Sequence, residues 1–452
     1  MKVRFSDVQS HVLLGFKNQH QSLLFFRITD IKKFKQKLGW FEELITWTDA
    51  ELKRREADDI DGSIGMLAFA FRGLIRLLPE GDLSWLRLPR KEAVTTYGSS
   101  QAAFAEDCYS RANSALLDSR EELAGWVVGA PSNAPDGVLL LTDPTSTREG
   151  SGETRLDEVT RELADCADLF HPEHGYRLLD GDRHTREHFG FRDGVSPQFV
   201  EVTDSDGSIL KPNPVTNVRQ RFPGETLLLS RDVDSAEPPG KRMPEWLHAS
   251  SFLVFRRLQQ DVAGFHAAIS AVARRTGRPV DEIGARVLGR SVHGGSLMAP
   301  PIHVPNDDFH YSGDPNGEVC PFSAHARRAN PRSAEPKLSH PVFRRSLVYG
   351  EASPSTFDSP KSDGIDRGLL FLCYQASIEG QFEYVTRHWL NNHDSFASPI
   401  DALLGKQAGK PGARDIELGI GQPVTLGTFV RATGAGYFLT PTRTALRRIL
   451  EV

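Results

Sequence analysis

An apolar run followed by an aspartate and an amphipathic segment occurs twice in this chain, about 230 residues apart. The first copy is residues 22–28 with Asp30 behind it, and the second is residues 251–258 with Asp261 behind it. Short apolar runs of this kind are typical of buried strands. An aspartate at this distance is placed to cap the helix that follows. We therefore predict an internal duplication, in which two halves of like fold pack together.

The rest of the chain contains further predicted strands and helices at irregular intervals. Residues 64–71, 137–141 and 369–374 read as buried strands, residues 226–229 as a short strand, and residues 31–38, 156–169 and 262–269 as helices. The helices are irregularly spaced and the loops are long, which favours an α+β fold over a regular doubly wound one. Residues 203–242 are rich in Asp, Pro, Gly and Ser. We predict an N-terminal half at residues 1–205, a connecting segment at 206–245 and a C-terminal half at 246–452.

Composition excludes several classes of protein. The chain has 452 residues, 25% of them charged, and a formal net charge of −5. Nucleic-acid binders normally need a basic excess, so we expect no nucleic-acid partner. No run of 18 apolar residues is present, so we expect no membrane span. Four scattered cysteines without a CxxC argue against a disulfide framework. The N-terminus has no apolar leader, which predicts a cytoplasmic protein.

Two histidine pairs were weighed as metal ligands. His184 and His188 are four residues apart, a spacing that suits zinc on one helix face, although the glutamate between them is not next to the first histidine as a zinc protease requires. His171 and His174 flank Pro172. In both cases we favour a structural interpretation.

Two further motifs carry candidate chemistry. Gly190 and Gly194 bracket an Arg-Asp pair that ends in Asp193, so the backbone can bend sharply and approach a flat ligand; on spacing alone a plain turn is favoured. His325 lies among small residues in a segment dense in arginine, from residue 320 to residue 350. Clustered arginines need an anionic partner. A lone histidine is more often a core residue than a ligand, so both readings stay open here.

These motifs together resemble those of the dye-decolourising (DyP-type) haem peroxidases. Residues 190–194 match the family's GxxDG signature, residues 320–332 its proximal-histidine segment, residues 344–350 its distal-arginine segment and residues 368–375 its pocket strand. They stand in the family's order, and the chain is most similar to its larger, so-called advanced members. The resemblance implies an α+β fold, a duplicated ferredoxin-like fold of the dimeric α+β barrel type. Antiparallel sheets would have helices around them, and one haem b per chain would lie mainly in the C-terminal half.

The resemblance also assigns roles to residues. His325 matches the axial ligand of the iron, and Asp401 matches the carboxylate that receives its other ring nitrogen. Asp193 matches the distal acid/base that moves a proton between the peroxide oxygens. Arg344 matches the distal arginine, with Arg345 as the alternative.

Further residues complete the expected site. Leu369 and Phe371 would cover the haem pocket, being two apart on one strand, and Arg332 or Arg328 would pair with a propionate. Trp389 matches a surface tryptophan proposed to carry electrons in some relatives. An ordinary half-buried tryptophan is its alternative reading, and Tyr349 and Tyr374 are weaker candidates.

The implied function is a peroxidase that reduces H2O2 and oxidises bulky organic donors, such as dyes and phenolics, by one-electron steps. Three alternatives were considered: a haem-binding or iron-release protein on the same scaffold, a zinc hydrolase using His184 and His188, and a catalytically silent relative. Asp193 and Arg344 together favour the peroxidase. Either a monomer or a homodimer fits the sequence.

Overall fold

The computed structural model describes residues 1–15, 20–57, 64–87, 102–142, 155–182, 184–196, 198–211, 220–231, 242–332, 340–391, 400–406 and 412–451. Part of the segment predicted as a connection, at 212–219 and 232–241, lies outside these ranges. Within them, none of the helices is long and apolar enough to cross a bilayer.

The strands in chain order are β1 (Lys2–Val3), β2 (His20–Ile28), β3 (Ile64–Phe69), β4 (Gly137–Thr142), β5 (Ala167–Tyr176), β6 (Leu178–Leu179), β7 (Thr185–Arg186), β8 (Phe199–Glu201), β9 (Thr203–Asp204), β10 (Arg221–Pro223), β11 (Ser251–Gln260), β12 (Phe343–Arg344), β13 (Leu347–Tyr349), β14 (Gly368–Gln375), β15 (Arg414–Ile416), β16 (Val424–Leu426) and β17 (Val430–Thr440).

The α-helices are α1 (Ser10–Leu13), α2 (Ile31–Gln36), α3 (Leu38–Leu44), α4 (Thr48–Glu56), α5 (Phe71–Leu77), α6 (Glu80–Leu83), α7 (Ala102–Glu106), α8 (Cys108–Ala115), α9 (Arg120–Ala124), α10 (Arg155–Leu163), α11 (Val262–Thr276), α12 (Val280–Leu288), α13 (His325–Ala329) and α14 (Arg443–Glu451). Two π-helical segments follow β14, at Ile378–Glu383 and Val385–Leu390.

The main sheet closes on itself. Its strand order is β11-β17-β3-β4-β2-β5-β13-β14-β12, and β11 also pairs with β14. The pairing of β11 with β14 joins the two ends of the sheet into an eight-stranded barrel, and the short β12 pairs with the same edge of β14 as β13 does. Closure removes the exposed sheet edges that would otherwise invite pairing with another chain.

The two halves of the barrel repeat one topology. In the N-terminal half the order is β3-β4-β2-β5, and in the C-terminal half it is β13-β14-β11-β17. Taken along the chain, both orders place the second, third, first and fourth strands side by side. This is the ferredoxin-like order, so the predicted duplicated α+β fold is confirmed.

The two halves are joined by two strand pairings, and each pairing has a single matched residue pair. β5 joins β13 through the pair Tyr176 and Val348, and β17 joins β3 through Leu439 and Phe69. Buried apolar side chains hold the barrel together more than these ladder contacts do, because burial of apolar surface is the dominant favourable term in folding. Inside the barrel the side chains come alternately from strands of both halves: Leu23, Phe25, Met66, Leu140, Leu253, Phe255, Leu370 and Leu372.

The two predicted helix caps are present. A side-chain oxygen of Asp30 accepts a hydrogen bond from the backbone N–H of Lys33 at 3.0 Å. Asp261 does the same for Gly264 at 2.9 Å. Each cap satisfies a backbone donor that the first helical turn leaves unpaired, so the duplicated strand–aspartate–helix pattern corresponds to structure in both halves.

Three predicted elements were wrong. The helix predicted at 156–169 ends at Leu163, and Leu169 lies in β5 opposite Phe26, because pairing across the barrel overrides local periodicity. Residues 226–229 form no strand, since the N–H groups of Leu227 and Leu228 donate back to the carbonyl of Gly224. Phe71 begins α5 and does not extend β3.

Candidate active site

The centre of the candidate site is a hydrogen-bonded pair of His325 and Asp401. His325 begins α13, and its Nδ1 lies 2.9 Å from a carboxylate oxygen of Asp401. The side chain of Asp401 is fully buried, whereas that of His325 is 25% exposed. The predicted partnership between these residues is therefore present in the structure. Part of the His325 imidazole therefore remains accessible to solvent.

The backbone around Asp401 fixes the orientation of its carboxylate. Its other oxygen accepts the N–H groups of Leu403 at 2.8 Å and Leu404 at 2.7 Å. Burial alone would raise the pKa of Asp401, but the charge of His325 and these hydrogen bonds outweigh burial and lower the pKa. Asp401 is thus an ionised, acceptor-only group.

An ionised Asp401 sets the tautomer of His325. Because the carboxylate accepts at Nδ1, the proton of a neutral imidazole resides on Nδ1, which leaves a lone pair on Nε2. Nε2 makes no hydrogen bond to another described residue. Within the described ranges no group of three or more His, Cys, Asp and Glu side chains is gathered as for a bare metal ion. A single imidazole donor of this kind fits the axial position of a haem iron.

Asp193 lies in a tight loop that glycine makes possible. Gly190 and Gly194 have φ angles of +96° and +73°, where side chains are strained. The backbone N–H of Asp193 donates to Thr185 at 2.9 Å, and a carboxylate oxygen of Asp193 accepts the N–H of Gly194 at 2.7 Å. Burial lowers the pKa of Arg177, and the charge of Asp193 offsets part of this lowering.

The two candidate distal arginines have different surroundings. Arg344 is exposed at the end of β12, and its side chain has no hydrogen-bond or ion-pair partner among the described residues. Arg345 donates to the carbonyls of His11, Val12 and Leu13 at 3.0 to 3.1 Å. Burial lowers the pKa of Arg345 to about 10. The structure therefore leaves Arg344 available for chemistry and uses Arg345 to anchor the N-terminal segment.

Arg344 shares a sheet face with the two predicted pocket residues. It lies opposite Cys373 on β14, and alternate residues of a strand point the same way. Leu369 and Phe371 are therefore on this face, and both are half-buried. Their neighbours Leu370 and Leu372 point into the barrel.

The predicted propionate partners are engaged within the protein. Arg332 stacks 3.9 Å from the ring centre of Phe309 and forms an ion pair with Asp307, which also receives Arg290. Arg328 is 1% exposed, and the charge of Asp401 offsets part of the lowering that burial causes in its pKa. Neither arginine side chain extends into open solvent. Each would therefore have to bind a propionate without breaking the contacts described above.

Trp389 is not a surface residue. It is 8% exposed and packs with Val385, Leu390 and Ala329, the last residue of α13. The half-buried Tyr384 stacks on His340 at 3.6 Å between ring centres, and Trp389 contacts both rings edge-on, at 6.0 and 5.2 Å. The indole lies between the helix that carries His325 and a more accessible tyrosine. Tyr349 and Tyr374 are buried.

His184 and His188 do not share a helix face. Two of the three intervening residues, Thr185 and Arg186, form β7, so a four-residue spacing does not place the two histidine rings together. His188 hydrogen bonds to the carbonyl of Tyr349 at 2.8 Å, whereas a ring nitrogen of His184 lies 3.7 Å from Asp180. A ring nitrogen of His171 lies 2.7 Å from a carboxylate oxygen of Glu173, while His174 contacts the hydroxyl of Ser22. The structural interpretation of these histidines agrees with these contacts.

One apolar cluster connects the loops of Asp193 and Asp401. Phe189 and Phe191 pack in the same core as Ile400 and Ala402, together with Phe265 of α11. The N–H of Ala402 also donates to the carbonyl of Ser323, two residues before His325, at 2.8 Å. The segments that carry His325, Asp401 and Asp193 are therefore held by one shared apolar core.

Comparison with known proteins identifies the family. Residues 7–162 match the family model described as "DyP dimeric alpha+beta barrel domain", and residues 235–405 match "Dyp-type peroxidase, C-terminal". Together these models cover more than half of the chain. The chain belongs to the DyP-type peroxidase family. Its resemblance to that family, predicted from four short motifs, is confirmed.

Individual DyP-type relatives span the whole chain. A dye-decolorizing peroxidase of Mycetinis scorodonius is 27% identical, over 100% of this chain and 88% of the relative. The solved structure of an ancestral D-type dye decolorizing peroxidase is 25% identical, covers 99% of both chains and has a TM-score of 0.79. A deferrochelatase of Yersinia pestis is 31% identical, but over only 21% of this chain.

Some residues that shape the site were not found from the sequence. Ser196 and Asp307 join Arg290 and Arg332 in one buried cluster behind the Asp193 loop. These residues are separated by up to 136 positions, so only the fold brings them together. Arginine density was the one sequence signal that indicated this cluster.

Proposed function

We propose that this DyP-type protein is a haem-dependent peroxidase that reduces H2O2 and oxidises bulky organic donors by one-electron steps. The observation that supports this most directly is the 2.9 Å contact between His325 and the buried Asp401, while Nε2 of His325 makes no hydrogen bond to any residue that the structure describes. Haem b, one per chain, supplies the redox chemistry when bound. The cytoplasmic location stays a prediction from the sequence.

On the proximal side, His325 would hold the haem iron through Nε2. Asp401 holds the Nδ1 proton and increases the basicity of Nε2. Leu369 and Phe371 exclude water from the pocket. Arg328 and Arg332 hold the propionates, while keeping their contacts with the regions of Asp401 and Asp307.

On the distal side, Asp193 moves a proton from the near oxygen of peroxide to the leaving oxygen. A carboxylate does this best when its position is fixed, which is what the hydrogen bonds of its loop provide. Arg344 supplies a cation for the negative charge that develops on the leaving oxygen. Its lack of a partner among the described residues supports this role.

Bulky donors need a path for electrons, because they cannot reach a buried cofactor. We assign this path to Trp389 and Tyr384, with His340 stacked against the tyrosine. Trp389 touches the helix of His325, and Tyr384 is the more accessible of the two rings. A donor oxidised at this surface transfers one electron at a time.

Turnover with H2O2 and a bulky dye tests the proposal. Haem-loaded protein should bleach the dye, and Asp193→Asn should bind the same amount of haem yet bleach it at least tenfold more slowly. Haem binding without turnover in the unmutated protein would instead favour a haem-binding or iron-release protein, the activity that the partial deferrochelatase match suggests.

A further inference from the structure

The segment that carries His184 and His188 contains two residues whose contacts reach the Asp193 loop. We propose that Arg186 and Glu187 are positioning residues for Asp193, because together they fix the peptide group between Gly190 and Phe191 from both sides. The inference rests on the proposed function, since it gives these residues a role through Asp193.

Arg186 and Glu187 bind the two ends of one peptide group. Nη1 of Arg186 donates to the carbonyl of Gly190 at 2.7 Å, and a carboxylate oxygen of Glu187 accepts the N–H of Phe191 at 2.9 Å. A peptide group is planar, so holding its oxygen and its N–H fixes the orientation of the whole plane. Only Arg192 separates this plane from Asp193.

Arg186 is itself fixed by the surrounding structure. Its Nε donates to Asp180 at 2.7 Å, and its Nη1 donates also to the carbonyl of Val292 at 2.7 Å. Val292 in turn accepts the N–H of Arg192 at 3.1 Å. The guanidinium therefore connects the loop to the segment that follows α12, which prevents the loop from moving as an independent unit.

Glu187 receives three N–H donors. Besides Phe191, it accepts the N–H of Phe189 at 2.9 Å and the side-chain amide of Gln260 at 2.7 Å. An ionised carboxylate suits this arrangement because it only accepts hydrogen bonds. Burial, with a smaller contribution from the charge of Asp193, raises the pKa of Glu187 to about 7, although the hydrogen bonds from Phe189, Gln260 and Phe191 oppose this rise. Measurements at pH 8 therefore examine the ionised form.

Glutamine at position 187 keeps the shape of the side chain but removes one acceptor. Its amide would face at least one of the N–H groups of Phe189 and Phe191, so that two donors meet and the loop shifts. Small displacements of a catalytic group are costly. We expect Glu187→Gln to slow the reaction of the haem-loaded protein with H2O2 about tenfold at pH 8.

A double-mutant cycle distinguishes positioning from general stability. If Glu187 acts through Asp193, Glu187→Gln changes the H2O2 rate less than twofold when Asp193→Asn is already present. Faster amide exchange of the 189–193 peptide in haem-free Glu187→Gln is also expected. Asp136→Asn is the matched control: Asp136 is a buried carboxylate that accepts the N–H of Ile28, and its substitution should leave exchange of this peptide unchanged.

Two results would overturn the inference: the same tenfold loss in both backgrounds, or unchanged amide exchange in the 189–193 peptide. An unchanged H2O2 rate in Asp193→Asn alone would refute the role proposed for Asp193, and this inference with it. A slow Asp193→Asn with an additive Glu187→Gln refutes only the positioning role.

Discussion

Replacing Asp401 with asparagine changes the hydrogen bonding of the proximal histidine, His325, but keeps the shape of the side chain at position 401. The asparagine oxygen can still accept the N–H groups of Leu403 and Leu404, so the local turn is kept. Its amide then faces Nδ1 of His325, which now needs to accept a hydrogen bond. The imidazole proton moves to Nε2, and that nitrogen loses the lone pair with which it would bind iron.

The size of the effect follows from the contact that is lost. To bind iron, His325 of the variant must keep its proton on Nδ1, where it faces the asparagine amide, so that two donors meet in place of the charge-assisted hydrogen bond now made at 2.9 Å. Such a bond contributes about 1.5–3 kcal/mol. With about 1.4 kcal/mol for each factor of ten, we expect haem affinity to fall by about 10- to 100-fold, the range usual for substitutions behind a metal-bound histidine.

Titration of haem into the haem-free protein measures this directly, with the Soret band as the signal. Asp136→Asn is the control, because Asp136 is equally buried but contacts Arg72 and Arg76 and not the site. The control should bind haem as tightly as the unmutated protein while losing stability. An Asp401→Asn variant whose haem affinity stays within twofold of the unmutated protein would refute the reasoning about the tautomer.

Three further predictions concern single side chains. Arg344→Leu should slow the reaction with H2O2 about 100-fold without loss of stability. Arg345→Leu should instead lower the free energy of unfolding by about 2 kcal/mol, because it leaves buried carbonyls unpaired. Stopped-flow kinetics measure the rate and urea unfolding measures the stability of both variants. Tyr384→Phe and Trp389→Phe should each lower turnover of bulky dyes more than that of small phenols, and equal losses on both donors would count against the ring path. Glu187 binds its proton more tightly in the folded state, with a pKa of about 7 against 4.5, so its contribution makes the fold less stable as pH rises between these values. Between pH 5 and pH 8, the free energy of unfolding of the unmutated protein should therefore fall by about 2 kcal/mol more than that of Glu187→Gln, after allowance for partial exposure. Parallel plots of unfolding free energy against pH for the two proteins would contradict this.

The fold was predictable because its strongest signals are local. The capping residues Asp30 and Asp261 directly follow buried strands, and both caps depend on a hydrogen bond three residues away. The incorrect predictions depend instead on contacts between residues that are far apart in sequence. Leu169 continues a helical periodicity but lies in β5, since its partner Phe26 is 143 positions away in sequence, and local propensity carries no information on such pairing.

The site was predictable through motifs and not through periodicity. His325 and Asp401 were chosen by resemblance, and the structure brings them to 2.9 Å. Neighbouring residues were harder to separate: Arg344 and Arg345 are adjacent in sequence, but only the N-terminal carbonyls that bind Arg345 distinguish them. The exposure of Trp389 depends on how the π-helical segments pack, which no short motif records.

The central claim is that His325 binds haem in a protein that reacts with peroxide. Its most direct test is the absorption spectrum of the protein and of His325→Ala, each titrated with haem and then mixed with H2O2. We predict a Soret band that saturates at one haem per chain and changes within seconds of adding peroxide, and weak or absent binding in the variant. A protein that binds no haem, or that binds it equally well without His325, would contradict the account.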